Sequence, residues 1–343
     1  MIQRRLYIFV ILLAIWVSGF GQQEPQFTQY MYTILPINPG YAGNAGICAS
    51  MHYRQQWAGF REINPTTLEE TKVAPLNTMV SIHSPVRALH GGLGLNIYSD
   101  RIGHQNDIAV KLAYSFRLNI KGGSLGIGLS GDFLSRSINV SKYYYAPESG
   151  DPSQHVDPTV INSMGESDMH VDFSFGAFYQ MQNKWWAGVS ATQLVSAIGG
   201  DKDLQKGARH FYFMGGYEFE LAANPDWSLK PSALIKTDLT MPQIDLTLIA
   251  SYTQLVWFGV SYRMWDCAAV LVGVKPFVNS KSAIRGLEVI GSYDITTSKM
   301  ILFGRSYGGP EFCIKYCFNI VTIPPVYGYK GTRLLGNKPI EYR

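Results

Sequence analysis

From Ile108 to Arg117 the chain alternates without a fault. Ile108, Val110, Leu112, Tyr114 and Phe116 are apolar, while Ala109, Lys111, Ala113, Ser115 and Arg117 between them are small or charged. A period of two sends the two sets to opposite faces of a strand. The same dyad recurs in Leu125-Ile127-Leu129 with Phe133, Val171-Phe173-Phe175 with Tyr179, Phe211-Phe213-Tyr217-Phe219, Ile244-Leu246-Leu248 and Phe312-Ile314-Tyr316-Phe318. Locally this pattern fits a soluble sandwich, whose apolar set is the core, or a membrane barrel, whose apolar set meets lipid.

Number and turn length separate the two. The pattern predicts about fourteen strands of roughly ten residues, an even number as in bacterial barrels. They fall at 47–57, 77–86, 91–99, 106–120, 122–136, 169–182, 184–195, 209–221, 228–240, 243–252, 255–264, 267–278, 286–295 and 311–318. Connections at one end are mostly short: 86–90, 121–123, 182–184, 222–227 and 253–254. The opposite end has the long segments 58–76, 137–168, 196–208 and 296–310, against short exceptions at 240–243 and 264–267 and a long 278–285 at the other end. Outer-membrane barrels have this asymmetry, and a sandwich has no reason to. Trp57, Tyr98, Trp185, Trp186, Trp227, Tyr252, Trp265 and Tyr293 lie near strand ends, where they fit interfacial girdles or core packing. The expectation is an all-β, transmembrane outer-membrane β-barrel with a plug.

The N-terminus adds an address. Arg4 and Arg5 form a basic region, Leu6 to Val17 an apolar one, and Ser18-Gly19-Phe20-Gly21 a small-residue cleavage site. Residues 1–21 are therefore expected to be a cleaved signal peptide, the apolar run being short of the ~20 residues of a membrane helix. The net charge of +4 includes those two arginines and implies no nucleic-acid partner. Low charge (16%) with 13% aromatics and 34 glycines agrees with strands and turns. In an oxidising compartment the four cysteines can pair. Cys313 and Cys317, four residues apart in a strand and so ~13 Å apart, are too distant to bond each other. Each therefore pairs elsewhere or stays reduced, and a disulfide of Cys48 with Cys313 or Cys317, across the seam of first and last strands, is a pairing to test.

Three segments near the N-terminus carry a resemblance. The first is Glu24-Pro25-Gln26-Phe27-Thr28-Gln29-Tyr30-Met31, the second Asn38-Pro39-Gly40-Tyr41-Ala42-Gly43, and the third Arg54-Gln55-Gln56-Trp57-Ala58-Gly59-Phe60. Together with Pro231 to Lys236, Pro242-Gln243-Ile244-Asp245 and Gly259 to Arg263, they resemble the PorP/SprF family over nearly the whole mature chain. Where that family has Gly-Ala-Pro after the third segment, this chain has Glu62-Ile63-Asn64-Pro65. The resemblance implies an outer-membrane component of the type IX secretion and gliding machinery of Bacteroidota. It implies as partners a secreted surface adhesin or its C-terminal domain, and periplasmic and peptidoglycan-binding lipoproteins, besides outer-membrane lipid.

Catalytic chemistry is thin. The seven histidines are scattered, with no H-E-x-x-H, no close Cys/His set and no G-x-S-x-G elbow, so neither enzyme, metal nor cofactor is expected. Gly91-Gly92-Leu93-Gly94 opens a strand, so it offers no helix dipole to a phosphate. The set expected to face the lumen mixes Lys111, Arg117, Lys230, Lys236, Arg263, Lys275 and Lys315 with Asp132, Asp172, Glu218, Glu220, Asp238, Asp245, Glu288 and Asp294. Such balance suits internal salt bridges more than a single-sign filter. Side chains alone would not fill a barrel of about fourteen strands, and residues 22–46, rich in proline and aromatics but without a period, are expected to be the plug or a periplasmic strap. Gly126, Gly128 and Gly176 would let the wall approach an inserted backbone closely. Arg54 is expected either to bridge a lumenal carboxylate or to contact a partner. The barrel is then 47–318, followed by a periplasmic C-terminal tail, 319–343. The alternative function is an outer-membrane channel for hydrophobic small molecules, which needs an apolar interior.

Overall fold

The computed structural model describes residues 25–44, 46–63, 68, 70–120, 122–138, 168–181, 184–195, 209–222, 224, 226–278, 283–298, 306 and 308–318. The expected signal peptide at 1–21, the expected tail at 319–343, all of 196–208 and most of 137–168 lie outside the described residues.

Among the described residues there are seventeen strands: β1 (Ile47–Gln55), β2 (Arg61–Ile63), β3 (Glu70–Lys72), β4 (Leu76–Val86), β5 (Gly91–Ile102), β6 (Gln105–Ile120), β7 (Gly123–Ile138), β8 (Asp168–Met181), β9 (Trp185–Thr192), β10 (His210–Tyr217), β11 (Phe219–Glu220), β12 (Trp227–Thr237), β13 (Pro242–Tyr252), β14 (Val256–Arg263), β15 (Cys267–Val274), β16 (Leu287–Thr296) and β17 (Gly309–Phe318). β2 and β3 form a separate hairpin. The others pair antiparallel with their neighbours in sequence, and β1 pairs β17 to close the ring. β10 and β11 both pair β12, as one strand interrupted at Glu218, so the barrel has 14 staves. The expected fold class and strand number are both present.

Alternation places every stave. In β6, Ala109, Lys111, Ala113 and Ser115 are buried, whereas Ile108, Leu112, Tyr114 and Phe116 are exposed. The same inversion runs around the ring: Met51, Ile82, Ile97, Leu129, Phe175, Val189, Phe213, Leu248, Phe258, Val270 and Ile314 all face outward and exposed. Arg54, Asp132, Asp245, Arg263, Asp294 and Glu311 are buried. A water-soluble protein would expose its charges and bury its large apolar side chains. This exterior suits hydrocarbon, where a closed ring leaves no unpaired strand edge.

Of the aromatics that fitted either a girdle or core packing, two take the core reading. Tyr98 points into the barrel, with the Lys111 ammonium 5.8 Å from its ring centroid. Trp186 also points inward, stacked on Phe178 at 5.7 Å, because it shares the phase of buried Gly188 and Ser190. By contrast Trp185 packs on Tyr179 and Trp227 on Tyr252 near the end where most turns are short. Among the charges, Lys275 and Asp238 sit in connections instead of strands, and Glu220 is exposed.

Residues 25–44 lie inside the ring. They form three short helical turns, Tyr30–Tyr32, Ile34–Ile37 and Pro39–Tyr41, the last begun by Pro39 at its first position and by Asn38, whose side chain accepts from the Gly40 N–H. Their apolar side chains make the interior core: Tyr30 and Ile34 with Phe178, Tyr212, Met214 and Leu234, and Leu35 and Ala42 with Ala113. The segment crosses the lumen lengthwise. Gln26 reaches β13 just below the 238–241 turn, at the end that carries the long connections, and Gly43 rests on Pro85 and Gly92 at the short-turn end, where β1 begins.

Candidate functional site

The functional candidate is the contact between this inner segment and the wall, since the family-like motifs converge there from six separate stretches of chain. At the long-loop end two carboxylate clusters hold Gln26 to Gln29. The Gln26 side-chain amide donates to Asp245 at 2.9 Å, and Arg263, paired with Asp245 at 3.0 Å, donates to the Phe27 carbonyl at 3.2 Å. Next to it, Glu311 accepts the backbone N–H groups of Thr28 at 2.8 Å and Gln29 at 2.9 Å. The Thr28 hydroxyl donates to Asp294 at 2.6 Å, and Arg54 ties both acids together, 2.6 Å from Asp294 and 3.5 Å from Glu311. The Gln29 amide also donates to Ser292 at 3.0 Å.

Arg54 and Glu311 expose 2% and 0% of their side chains, so neither is hydrated. Charges so placed are tolerable only with paired and hydrogen-bonded partners, and the backbone of Thr28 and Gln29 supplies those that the strands do not. The inner segment is thus part of the electrostatic balance of the wall. Further down, Tyr32 and Trp257 stack at 5.9 Å and both donate to Glu288, at 2.8 and 2.9 Å. Tyr30 shares a hydrogen bond with Ser232 at 2.7 Å.

The Asn38 to Gly43 turn meets a floor of glycines. A Cβ on Gly40 would stand 2.8 Å from the Gly126 carbonyl and 2.9 Å from that of Gly176. A Cβ on Gly126 would strike the Gly40 carbonyl, and one on Gly128 the Pro39 carbonyl. Asn38 spans β8 and β9 by donating to the carbonyls of Ala177 at 3.0 Å and Val189 at 3.3 Å. Arg117 donates to the Ala42 carbonyl and to Asn44, and Ser115 to the Gly40 carbonyl. Tyr41 stands edge-on between His83 and Phe178, at 5.3 and 5.0 Å. Gly43, at φ +70°, and Gly46, at φ +84°, bend the chain toward β1.

The third motif is divided. Arg54 points into the carboxylate cluster, Gln55 ends β1, and the Gln56 N–H donates to the Pro75 carbonyl at 3.0 Å. Trp57, Gly59 and Phe60 leave the wall in a turn, Trp57 and Gly59 with positive φ and Trp57 edge-on to Phe60 at 6.4 Å. Pro25 lines a cavity beside the segment. Of the four cysteines, Cys48 and Cys317 form a disulfide across the β1–β17 seam, whereas Cys313 lies 3.5 Å from the His52 ring and Cys267 stays reduced. Glu311 escaped the sequence reading, although carrying the 312-314-316-318 outward set back along the strand assigns 311 inward. Among the described residues no group of three or more His, Cys, Asp and Glu could hold a metal.

Comparison with solved structures returns membrane barrels of low similarity. Outer membrane protein Omp33 of Acinetobacter baumannii is 6% identical, at a TM-score of 0.43 over 80% of this chain and 99% of that one. The toluene transporter TodX of P. putida is 9% identical at 0.45, over 82% and 92%. The CymD monoaromatic hydrocarbon channel is 12% identical at 0.44, over 87% and 94%. No curated protein sequence matches the chain. The sequence model of the type IX secretion system membrane protein PorP/SprF matches residues 19–316, which take in the inner segment and the fourteen staves up to the last two residues of β17. The chain therefore belongs to the type IX secretion system membrane protein PorP/SprF family, as an outer-membrane component of that machinery.

Proposed function

We propose that the protein is a plugged barrel that works as a docking platform: residues 25–44 close the lumen, the long-loop end faces the cell surface, and the opposite end faces the periplasm. One observation carries the reading. The inner segment is bound to the wall along its whole length by buried charged and polar groups, which suits a permanent part more than a gate that must leave for each passing molecule. The ring of buried Arg54, Asp294, Glu311, Asp245 and Arg263 also offers poor passage to an apolar solute.

On this reading the platform binds, anchors or helps export a surface adhesin through its outer connections, and contacts periplasmic or peptidoglycan-binding lipoproteins at the other end. Residues 1–21 would be removed as a signal peptide, and 319–343 would remain as a periplasmic tail. Affinity purification from detergent-solubilised native envelopes, followed by mass spectrometry, tests it. Recovery of a large exported protein or envelope lipoproteins of the secretion system supports the platform, and a barrel isolated without either overturns it. Reconstitution in a planar bilayer tests the plug separately, with no steady conductance expected from the intact protein.

A further inference from the structure

On the lipid-facing wall, across β12 to β16, lies a groove of about 560 Å³. Leu248, Val260 and Val270, paired in one lateral row, form its bank toward the short-turn end, and Leu246, Tyr262 and Ile295 stand along the other. Thr247, Ser261 and Ala269 between the rows are buried on the inner face, so their backbone alone floors the groove. Ala268 stands between Tyr262 and Ile295 and leaves a gap in the second bank. At about 4.8 Å per strand spacing the groove is about 19 Å long. The hydrocarbon of one leaflet is about 15 Å deep, so the groove accommodates a single acyl chain laid obliquely.

Shape alone does not retain a lipid in a membrane, because an acyl chain gains no hydrophobic free energy by exchanging its neighbours for leucine and valine. A polar handle is needed, and two stand at the gapped bank. Tyr262, the last but one residue of β14, is 48% exposed, and among the described residues its hydroxyl has no hydrogen-bond partner. Trp265, in the turn from β14 to β15, is 62% exposed at φ +63°, a conformation that bulky residues seldom adopt, and its indole N–H likewise has no described partner. Both groups lie at the long-loop end, at the level where side chains with an apolar body and a polar tip meet lipid headgroups. The connections that rise there from β12 to β13 and from β14 to β15 are short, so neither overhangs the groove.

We propose that this groove retains one acyl chain of the outer-leaflet glycolipid, lipid A, with the Tyr262 hydroxyl donating to the carbonyl that links the chain to its headgroup. The choice of leaflet rests on the orientation proposed above, and the groove itself does not. The test extracts the full-length protein from native outer membranes in a mild neutral detergent and weighs it with its bound lipid by native mass spectrometry. A single lipid A per barrel is expected. Ala268→Trp, which fills the gap, should lose it, whereas Gly131→Trp, on β7 with nothing within 4 Å of its Cβ, should keep it. In a titration of delipidated protein with purified lipid A, Tyr262→Phe should bind about fivefold more weakly, the scale of one hydrogen bond. Circular dichroism melting checks that each variant keeps its strands. A retained phospholipid in place of the glycolipid overturns the leaflet, and with it the orientation. No retained lipid, equal retention by folded Ala268→Trp, or unchanged affinity of Tyr262→Phe overturns the site.

Discussion

Glu311 shows what a single buried carboxylate does in this molecule. It accepts two backbone N–H groups from the inner segment and shares Arg54 with Asp294. Changing Glu311 to Ala leaves Arg54 with one acid and the amides of Thr28 and Gln29 with none, a loss of about 3–5 kcal/mol on the scale of a broken buried pair. Thermal melting of the strand signal should fall accordingly, and an unchanged melt would mean that the cluster bears little of the fold. A steric counterpart lies on β7. Gly128→Val drives a side chain into the Pro39 carbonyl, whereas Gly131, whose Cβ would meet nothing within 4 Å, tolerates the same change. Limited chymotrypsin digestion should cut the Gly128→Val protein among Tyr30, Tyr32 and Tyr41 and spare the Gly131→Val protein. Equal resistance of both would mean that the glycine floor is not needed to seat the segment.

At the scale of elements, the staves were legible because their signal is local. Each pair of alternate residues in β6 or β13 already states which side is wet. The inner segment was legible only as a candidate, since its hydrogen-bonded partners on the wall lie 73 to 283 residues away and its helical turns have no repeat to announce them. Tyr98 and Trp186, open between girdle and core packing from their position near strand ends, pack inward because phase decides the face. The seam between β1 and β17 is the element pair joined covalently, by Cys48 and Cys317, over a separation of 269 residues. Reduction, or Cys48→Ser with Cys317→Ser, should lower stability by about 2–5 kcal/mol, with migration on nonreducing gels reporting the loss of the closed loop. A melt indifferent to dithiothreitol would show that the ladder holds the seam without help.

For the whole molecule, the inverted distribution of polarity makes a sign-specific prediction. Leu129 and Ser130 are neighbours on β7, one exposed to the exterior and the other buried inside. Leu129→Arg should cost about 2–4 kcal/mol in a lipid-reconstituted unfolding titration, as charges do at the hydrocarbon midplane. Ser130→Ala should cost less, about 1 kcal/mol for its hydrogen bond to Asp132. A soluble protein of the same fold would reverse the order.

The lengthwise course of residues 25–44 bears on how such a molecule can come into being. The segment precedes β1 in the chain, and the ring closes only when β17, the last stave, meets β1. Pairings so distant in sequence carry a loop-closure cost that slows folding. A segment seated before that closure would serve as the mandrel about which the staves are hooped, and the disulfide as the rivet set after the hoop is drawn tight. Damage to the mandrel would then appear first as barrels that assemble slowly, before it appears as barrels that leak.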